Sequence, residues 1–300
     1  MLTLDNGLMH VSLCPDLGGR IEDLIDLRTG KNWLWHPAGY QPGPRALPLG
    51  ASFDDNWTGG WDEIFPNDAA CHFQGRDLPV HGELWSQEWE VQEYSPLGAE
   101  LAYICRSLPV TVTKRLTLDP QSPELRVDYM FINRSPEPLS FLFKLHPALA
   151  IEAGDEVLMP PCSVKPVDLG FSSLMKRDCW TAWPASDSVE DPSRSLAQVP
   201  PATCAAKEFV YTKDHADGFT GLGSRRTRSA LKLAFNRELF PYVWLFQIYG
   251  GWQGHYVHVA EPCTNIPWDL EQAVRQGTCA VLPGGGYRNY TVTARIEPWE

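Results

Sequence analysis

The sequence lacks the usual signatures of metal, membrane and nucleic-acid binding. Its eight cysteines stand singly, without a Cys-x-x-Cys pair for zinc or redox chemistry. It has no run of about 18 apolar residues and no basic and apolar segments of a signal peptide at its start. A net charge of −12 disfavours polyanionic partners, which are bound by an excess of Lys and Arg. We therefore expect a cytoplasmic protein with reduced, mostly buried thiols, no metal, and no nucleic-acid or membrane partner.

Helical patterns are also scarce, and alternation of apolar with polar residues dominates the chain. Such a period of two is typical of strands with one buried face. Only 268–275 has helical spacing, with Pro267 at its start and Gly277 just past its end. We expect one domain spanning 1–300, an all-β, large antiparallel β-sandwich with very few short helices. Strands are predicted at 9–14, 20–27, 88–94, 101–106, 110–118, 125–133, 140–146, 230–236, 242–249, 255–260, 279–282 and 287–296, with a surface excursion at 160–201.

Three polar residues stand in otherwise apolar or turn-rich segments: His81, His146 and Glu261. They lie far apart in the sequence, so only the fold can bring them together. Histidine donates or accepts a proton near neutral pH, and a carboxylate acts as a base. The trio therefore suits acid/base chemistry without a cofactor, although an isolated buried histidine is by itself more often a core residue.

The strand periodicity places these residues on particular faces. In 140–146, Lys144 and His146 share one face, and His146 is expected to project toward a cleft. In 255–261, His255 and Glu261 share a face while His258 lies on the other. A His-x-x-His metal pair is therefore disfavoured, because zinc needs converging ligands.

Several segments occur in an order that resembles the aldose 1-epimerase family of the galactose mutarotase-like superfamily. The resemblance spans nearly the whole length and implies a many-stranded β-supersandwich with an open sugar cleft, isomerase activity and no metal or organic cofactor. The segments that carry it are 17–21 with the turn at 29–30, 59–66, 81–85, 261–262 and 282–284.

The resemblance also implies roles for the trio. Glu261 matches the general base that removes the proton from the anomeric hydroxyl O1. His146 matches the general acid that protonates the ring oxygen, and His81 matches the second imidazole, which polarises the ring-oxygen region. Ring opening, rotation about the C1–C2 bond and reclosure would then yield the opposite anomer.

Two departures from the family pattern bear on the substrate. Sugar-only mutarotases carry a substrate-contacting Arg near the segment that reads Trp61-Asp62-Glu63 here, so Asp62 or Glu63 is predicted to recognise hydroxyls. Trp61 and Trp85 are predicted to stack on the sugar or to pack in the core. Hexose-6-phosphate mutarotases place a phosphate-binding Arg where Trp85 stands, which favours a non-phosphorylated aldose.

The family's substrate-binding Asp is expected between His146 and Glu261, and Asp214 and Asp217 are the candidates. Three alternatives to the mutarotase remain open. They are a non-catalytic carbohydrate-binding sandwich, a hexose-6-phosphate mutarotase, and another acid/base enzyme, such as an epimerase or lyase, on a sugar derivative. In each case the expected partner is a small sugar, and the chain is expected to be a monomer or a homodimer.

Overall fold

The computed structural model describes residues 1–41, 47–186 and 195–300. Within these ranges the chain forms two short α-helices, α1 (Phe53–Asn56) and α2 (Leu270–Gln276), and many strands. The strands are β1 (Leu2–Asp5), β2 (Met9–Cys14), β3 (Arg20–Asp26), β4 (Lys31–Asn32), β5 (Trp61–Ile64), β6 (Cys71–Phe73), β7 (Arg76–Leu78), β8 (Glu90–Ser95), β9 (Gly98–Ile104), β10 (Val110–Leu118), β11 (Glu124–Asn133), β12 (Leu139–Phe141), β13 (Lys144–Ala150), β14 (Glu156–Leu158), β15 (Ser163–Pro166), β16 (Thr181–Ala182), β17 (Ala206–Lys213), β18 (Phe219–Ser224), β19 (Ser229–Phe235), β20 (Tyr242–Tyr249), β21 (Tyr256–Cys263), β22 (Ala280–Leu282) and β23 (Tyr287–Pro298).

Two large antiparallel sheets pack against each other. The larger sheet has eleven strands in the order β1, β2, β3, β5, β13, β21, β20, β17, β15, β16, with β4 paired to β3. The smaller sheet has eight strands in the order β14, β18, β19, β23, β11, β10, β9, β8. Two-stranded ribbons join β12 with β22 and β6 with β7. The prediction of an all-β antiparallel sandwich is confirmed.

The main hydrophobic core lies between the two sheets. Along β11, Val127, Tyr129 and Phe131 alternate inward and are buried. The ring of Phe131 lies 4.7 Å from that of Phe143, which precedes β13 of the large sheet. Truncating one buried Phe side chain typically costs about 3–5 kcal/mol, so each of these two rings contributes substantially to holding the sheets together.

The outer face of the large sheet is also covered, and this second layer positions the site. Ala148 of β13 and Val257 and Val259 of β21 form an apolar cluster there with Phe53 and Trp57. The two aromatic side chains come from α1 and from the residue that ends it. The central strands are therefore buried on both faces, which explains their nearly continuous apolar sequences.

Several predicted elements agree closely with the structure, and one is divided. The predicted strands at 9–14, 110–118 and 242–249 match β2, β10 and β20. The strand predicted at 140–146 splits into β12 and β13, because the N–H of Leu142 donates to the carbonyl of Pro66 and that of Phe143 donates to the Thr264 hydroxyl. These bonds take both amides out of the ladder as the chain passes from one sheet to the next.

The helix predicted at 268–275 begins two residues later, at Leu270. The Asp269 side chain caps it by accepting a 2.6 Å hydrogen bond from the N–H of Gln272, and Gly277 ends it with a φ of 70°. The predicted surface excursion at 160–201 is corrected in part. Its described residues include β15 and β16, which extend the large sheet, and a buried Met175.

All eight thiols are free. Cys14, Cys105 and Cys263 are buried, four others are partly buried, and Cys179 is exposed. Among the residues that the structure describes, no helix combines the length and the apolar character needed to cross a bilayer.

Candidate active site

A cavity of about 400 Å³ opens on the outer face of the large sheet. The strands β13, β21, β20 and β17 of the large sheet contribute side chains to its floor. The other lining residues come from α1 and the residue that follows it, the loops after β5, β7 and β20, and the segments after β15 and before α2. The lining is rich in aromatic rings and includes both predicted histidines and the predicted base. The lining residues are Phe53, Asp54, Trp57, Asp68, Ala69, Ala70, Val80, His81, Lys144, His146, Asp168, Phe171, Phe209, Phe246, Trp252, Glu261 and Trp268.

His146 and Glu261 are neighbours across adjacent strands of the floor. The register of β13 on β21 pairs Lys144 with Cys263 and Ala148 with Val259, which places His146 opposite Glu261. Side chains of directly opposed residues share a face and have Cβ atoms about 4.5–5.5 Å apart. The strands therefore hold an imidazole and a carboxylate side by side in the cavity.

A proline follows each of these two residues, Pro147 after His146 and Pro262 after Glu261. Proline has no N–H, so each of the two strands gives up one donor next to the site. Both prolines lie in central strands of the large sheet, where proline is normally avoided.

His81 reaches the same cavity from the loop after β7. Its φ of 62° lies in the left-handed region, and its N–H donates to the Asp68 carbonyl at 2.7 Å. The next residue, Gly82, has a φ of 64°, and a Cβ there would lie 1.9 Å from the Phe65 carbonyl oxygen. A non-glycine residue in this conformation must be held by its surroundings. Here the His81 ring stacks on Phe53 with centroids 4.3 Å apart and lies 6.2 Å from the His146 ring.

Glu83 anchors the loop that carries His81. Its buried carboxylate accepts hydrogen bonds from the Tyr103 hydroxyl at 2.8 Å, the Arg106 N–H at 2.8 Å and the Ser107 N–H at 3.0 Å. The Ser107 hydroxyl donates to the same carboxylate. Tyr103 belongs to β9 of the smaller sheet, so Glu83 ties the His81 loop to the opposite layer of the sandwich.

Lys144 lies beside Glu261 on the cavity floor. Its Nζ is 2.6 Å from Oε2 of Glu261 and 2.6 Å from Oδ2 of Asp68. The same ammonium lies 4.2 Å from the centroid of the Trp244 ring. All four side chains are buried, so the carboxylates share one cation away from bulk water.

Burial and this shared cation set the protonation of the site. Burial raises the pKa of Glu261 to about 7, and Lys144 opposes that rise. Burial also lowers the pKa of His81 to about 4, against the attraction of Asp68. The pKa of His146 is held well below its ordinary value by burial and then by the charges of Lys144 and His81. The site thus has a carboxyl group that titrates near neutral pH beside two imidazoles that are neutral there.

Comparison with known proteins identifies the architecture. No family model and no curated protein matches this sequence. Among solved structures, the Slr1438 protein of Synechocystis sp. PCC 6803 has a TM-score of 0.73 at 15% identity, over 99% of this chain and 95% of that one. A candidate aldose 1-epimerase from Escherichia coli K12 has a TM-score of 0.71 at 16% identity, over 99% and 98%. A galactose mutarotase-like protein from Lactobacillus casei ATCC 334 has a TM-score of 0.69 at 13% identity, over 99% and 100%.

The chain has the galactose mutarotase-like fold. The predicted resemblance is confirmed at the level of the fold, since a structure described as a candidate aldose 1-epimerase and others described as galactose mutarotase-like proteins align with nearly all of the chain.

On this mutarotase-like fold, Trp61 and Glu63 lie on the side of the large sheet that faces away from the cavity. Trp61 belongs to the core between the sheets and is fully buried. The Glu63 carboxylate accepts a 2.6 Å hydrogen bond from the Tyr129 hydroxyl and lies 2.7 Å from Nζ of Lys114. Neither residue lines the cavity, so the sugar contacts proposed below involve other side chains.

Asp62 and Trp85 lie on the cavity side of the sheet, but behind its lining. Asp62 pairs with His146 across β5 and β13 and is buried, and burial raises its pKa to about 7. Trp85 packs edge-on against Phe53, with ring centroids 4.9 Å apart. Neither residue lines the cavity: Asp62 lies beside His146 on the neighbouring strand, and Trp85 packs against Phe53, which does line it.

The two aspartates that the sequence offered as the substrate-binding Asp between His146 and Glu261 lie outside the cavity. Asp214 and Asp217 do not line the cavity, whereas Asp168, which sequence reasoning missed, lies at its mouth. The signal for Asp168 was hidden in the 160–201 segment, which was interpreted as a surface excursion. Lys144 could have been found from the sequence, because strand periodicity places it on the face of His146.

The face assignment for His255, which immediately precedes β21, and for His258 within β21 is confirmed. The ring of His255 contacts Trp57 and Trp252 on the cavity side, with centroids 5.7 and 5.4 Å apart. His258 is fully buried on the other side, and burial lowers its pKa to about 3. Across the described ranges, no three His, Cys, Asp or Glu side chains are grouped so as to hold a metal ion.

Proposed function

We propose that this protein is a mutarotase that interconverts the α and β anomers of a free, non-phosphorylated aldose. The observation that carries the proposal is the cross-strand pair of His146 and Glu261 on the floor of the cavity, with His81 beside it. Opening a cyclic hemiacetal needs one base and one acid on the two oxygens of C1, and this pair supplies both.

The proposed reaction moves one proton from O1 to the ring oxygen O5. Glu261 as carboxylate takes the O1 proton, and His146 as imidazolium gives a proton to O5 while the C1–O5 bond breaks and the C1=O1 double bond forms. His81 donates a hydrogen bond in the O5 region. After rotation about the C1–C2 bond, the groups act in reverse on the other face of the carbonyl, and the site regains its starting charges.

The pair therefore carries a single proton throughout the cycle, on His146 before ring opening and on Glu261 after it. The low pKa of His146 makes its imidazolium a strong acid, although a minor species in the empty cavity. Such coupled groups titrate as a pair, and their apparent pKa values belong to both residues.

The cavity walls suit a sugar without a phosphate. Trp57, Phe171 and Trp252 offer rings on which the apolar face of a pyranose can stack. Two exposed carboxylates, Asp54 and Asp168, lie at the mouth. Among the described lining residues Lys144 is the only Lys or Arg, and its charge is already shared by two carboxylates. A phosphoryl group would meet net negative charge, which disfavours the hexose-6-phosphate alternative.

A non-catalytic sugar-binding protein is the second candidate, favoured by the aromatic lining alone. It would bind sugars through stacking and would gain nothing from a titratable pair at the floor. Buried groups with perturbed pKa values are costly to stability and are concentrated at catalytic sites, so the pair favours the enzyme.

The test is proton NMR exchange between the α and β anomers of glucose, galactose, xylose, arabinose and glucose 6-phosphate. We expect the wild type to accelerate the anomer exchange of the free aldoses. In Glu261→Gln the catalysed rate should fall by roughly 100-fold or more, the scale typical of removing a general base. The exposed Glu90→Gln is the matched control and should behave as wild type. Saturable sugar binding without acceleration would establish the binding protein instead, and acceleration of glucose 6-phosphate alone would establish the phosphate-specific alternative.

A further inference from the structure

The arrangement of Lys144 between two carboxylates goes beyond the proposed acid/base trio. Its Nζ lies 2.6 Å from both Asp68 and Glu261, and the Trp244 ring lies beneath it. The carboxylates come from different parts of the chain, Asp68 from the loop after β5 and Glu261 from β21. Lys144 thus joins the loop that holds the His81 backbone to the strand that carries the base.

The charge of Lys144 acts to lower the pKa of both carboxyl groups. Although burial opposes it, Lys144 holds the pKa of Asp68 below its ordinary value, with His81 contributing. Burial alone would lower the pKa of Lys144, but Asp68 and then Glu261 raise it. Lys144 therefore stays charged at neutral pH, which excludes a nucleophilic role for its amine.

The other groups around Glu261 are mostly neutral near pH 7. His146 on β13 and His81 on its loop have lowered pKa values, while burial raises those of Tyr211 on β17 and of Cys263. The exposed Asp54 and Asp168 lie at the mouth of the cavity. Lys144 and Asp68 are thus the charged groups that act on Glu261 at short range.

We propose that Lys144 and Asp68 are positioning residues that together fix the orientation and the charge state of the Glu261 carboxylate. This inference rests on the proposed function for its catalytic meaning. One ammonium shared by two carboxylates gives each of them only part of its stabilisation. Removing the cation and removing the competing anion must then change Glu261 in opposite directions, which a general loss of packing could not do.

The experiment is a ¹³C NMR titration of the whole protein, labelled at the carboxyl carbons of Glu, without sugar. The Glu261 resonance is the one that disappears in Glu261→Gln, and its midpoint is expected near pH 7 in the wild type. In Lys144→Met the midpoint should rise by about 1 to 3 pH units, the usual effect of a close opposite charge. In Asp68→Asn it should fall by about 1 pH unit, because Lys144 then pairs with Glu261 alone. Lys165→Met, which removes a more exposed cation paired with Asp178, is the matched control and should leave the midpoint unchanged.

The pH profile of anomerisation is the second readout. Its pKa near neutrality should move up in Lys144→Met and down in Asp68→Asn, whereas a structural defect lowers the rate at every pH. If Lys144→Met does not fold, the test depends on Asp68→Asn alone. An unchanged or raised Glu261 midpoint in Asp68→Asn then overturns the inference. One outcome is that the Glu261 midpoint shifts in opposite directions in the two variants while the wild type accelerates no anomerisation. That result supports the electrostatic inference and refutes the proposed function. Active wild type with unshifted midpoints refutes the inference alone.

Discussion

Raising the pH from 7 to 9 is expected to reduce the catalysed anomerisation rate about 50-fold. The proposed cycle needs one proton on the pair formed by His146 and Glu261, and the upper pKa of that pair is set by Glu261, at about 7. About half of the molecules hold this proton at pH 7, and only about 1 in 100 holds it two pH units higher. On the acid side, a second proton on the pair removes the base, and protonation of His81 below about pH 4 disturbs the ring-oxygen contact. The profile is therefore a bell with its flat top between these values.

The assay is NMR exchange or polarimetry on a free aldose between pH 4.5 and 9, with the uncatalysed rate subtracted at each pH. His72→Asn removes an exposed imidazole that pairs with Asp77, and it should leave the bell unchanged. A catalysed rate that instead rises through pH 7 and stays high at pH 9 would refute the proposal that His146 and Glu261 carry a single proton. Glu261 would then act as an ionised base beside neutral hydrogen-bond donors.

Two further predictions concern buried carboxyl groups. Glu83→Gln should lower stability by about 1–3 kcal/mol and reduce kcat, because an amide cannot accept all the donors that hold the His81 loop, and urea unfolding with a rate assay will check both. Wild-type activity in that variant would contradict the anchoring role. The free energy of unfolding of Asp62→Asn should exceed that of the wild type at pH 8 but not near pH 4. Folded Asp62 keeps its proton up to about pH 7, while the unfolded chain releases it near 3.8, so its contribution to stability falls as the pH rises through that window, by roughly 2–4 kcal/mol. Equal unfolding free energies of wild type and Asp62→Asn at both pH values would rule this out.

The strands and their faces could be predicted because they depend on local periodicity. The alternation in 255–261 put His255 and Glu261 on one face and His258 on the other, as observed. The break between β12 and β13 could not be predicted, because it depends on a hydrogen bond from Phe143 to Thr264, 121 residues away. Local patterns do not record partners at such distances.

The candidate site divides in the same way. The motif order pointed to His81, His146 and Glu261, and the fold brings all three to one cavity. Periodicity alone could have separated Asp62 from Glu63, since alternate residues of β5 face opposite sides of the sheet. The role of Asp68 depends on how its loop folds back over β13, which requires the tertiary structure.

The prolines after His146 and Glu261 act on the chain before it folds. The residue that precedes a proline is restricted to extended backbone conformations, because its helical region clashes with the proline ring. The two proposed proton carriers therefore enter folding with much of their backbone freedom already removed, and less conformational entropy is lost when they are fixed as neighbours. Each proline lacks the N–H of a ladder hydrogen bond at the centre of the sheet. The backbone restriction that it imposes on the preceding residue offsets part of that loss.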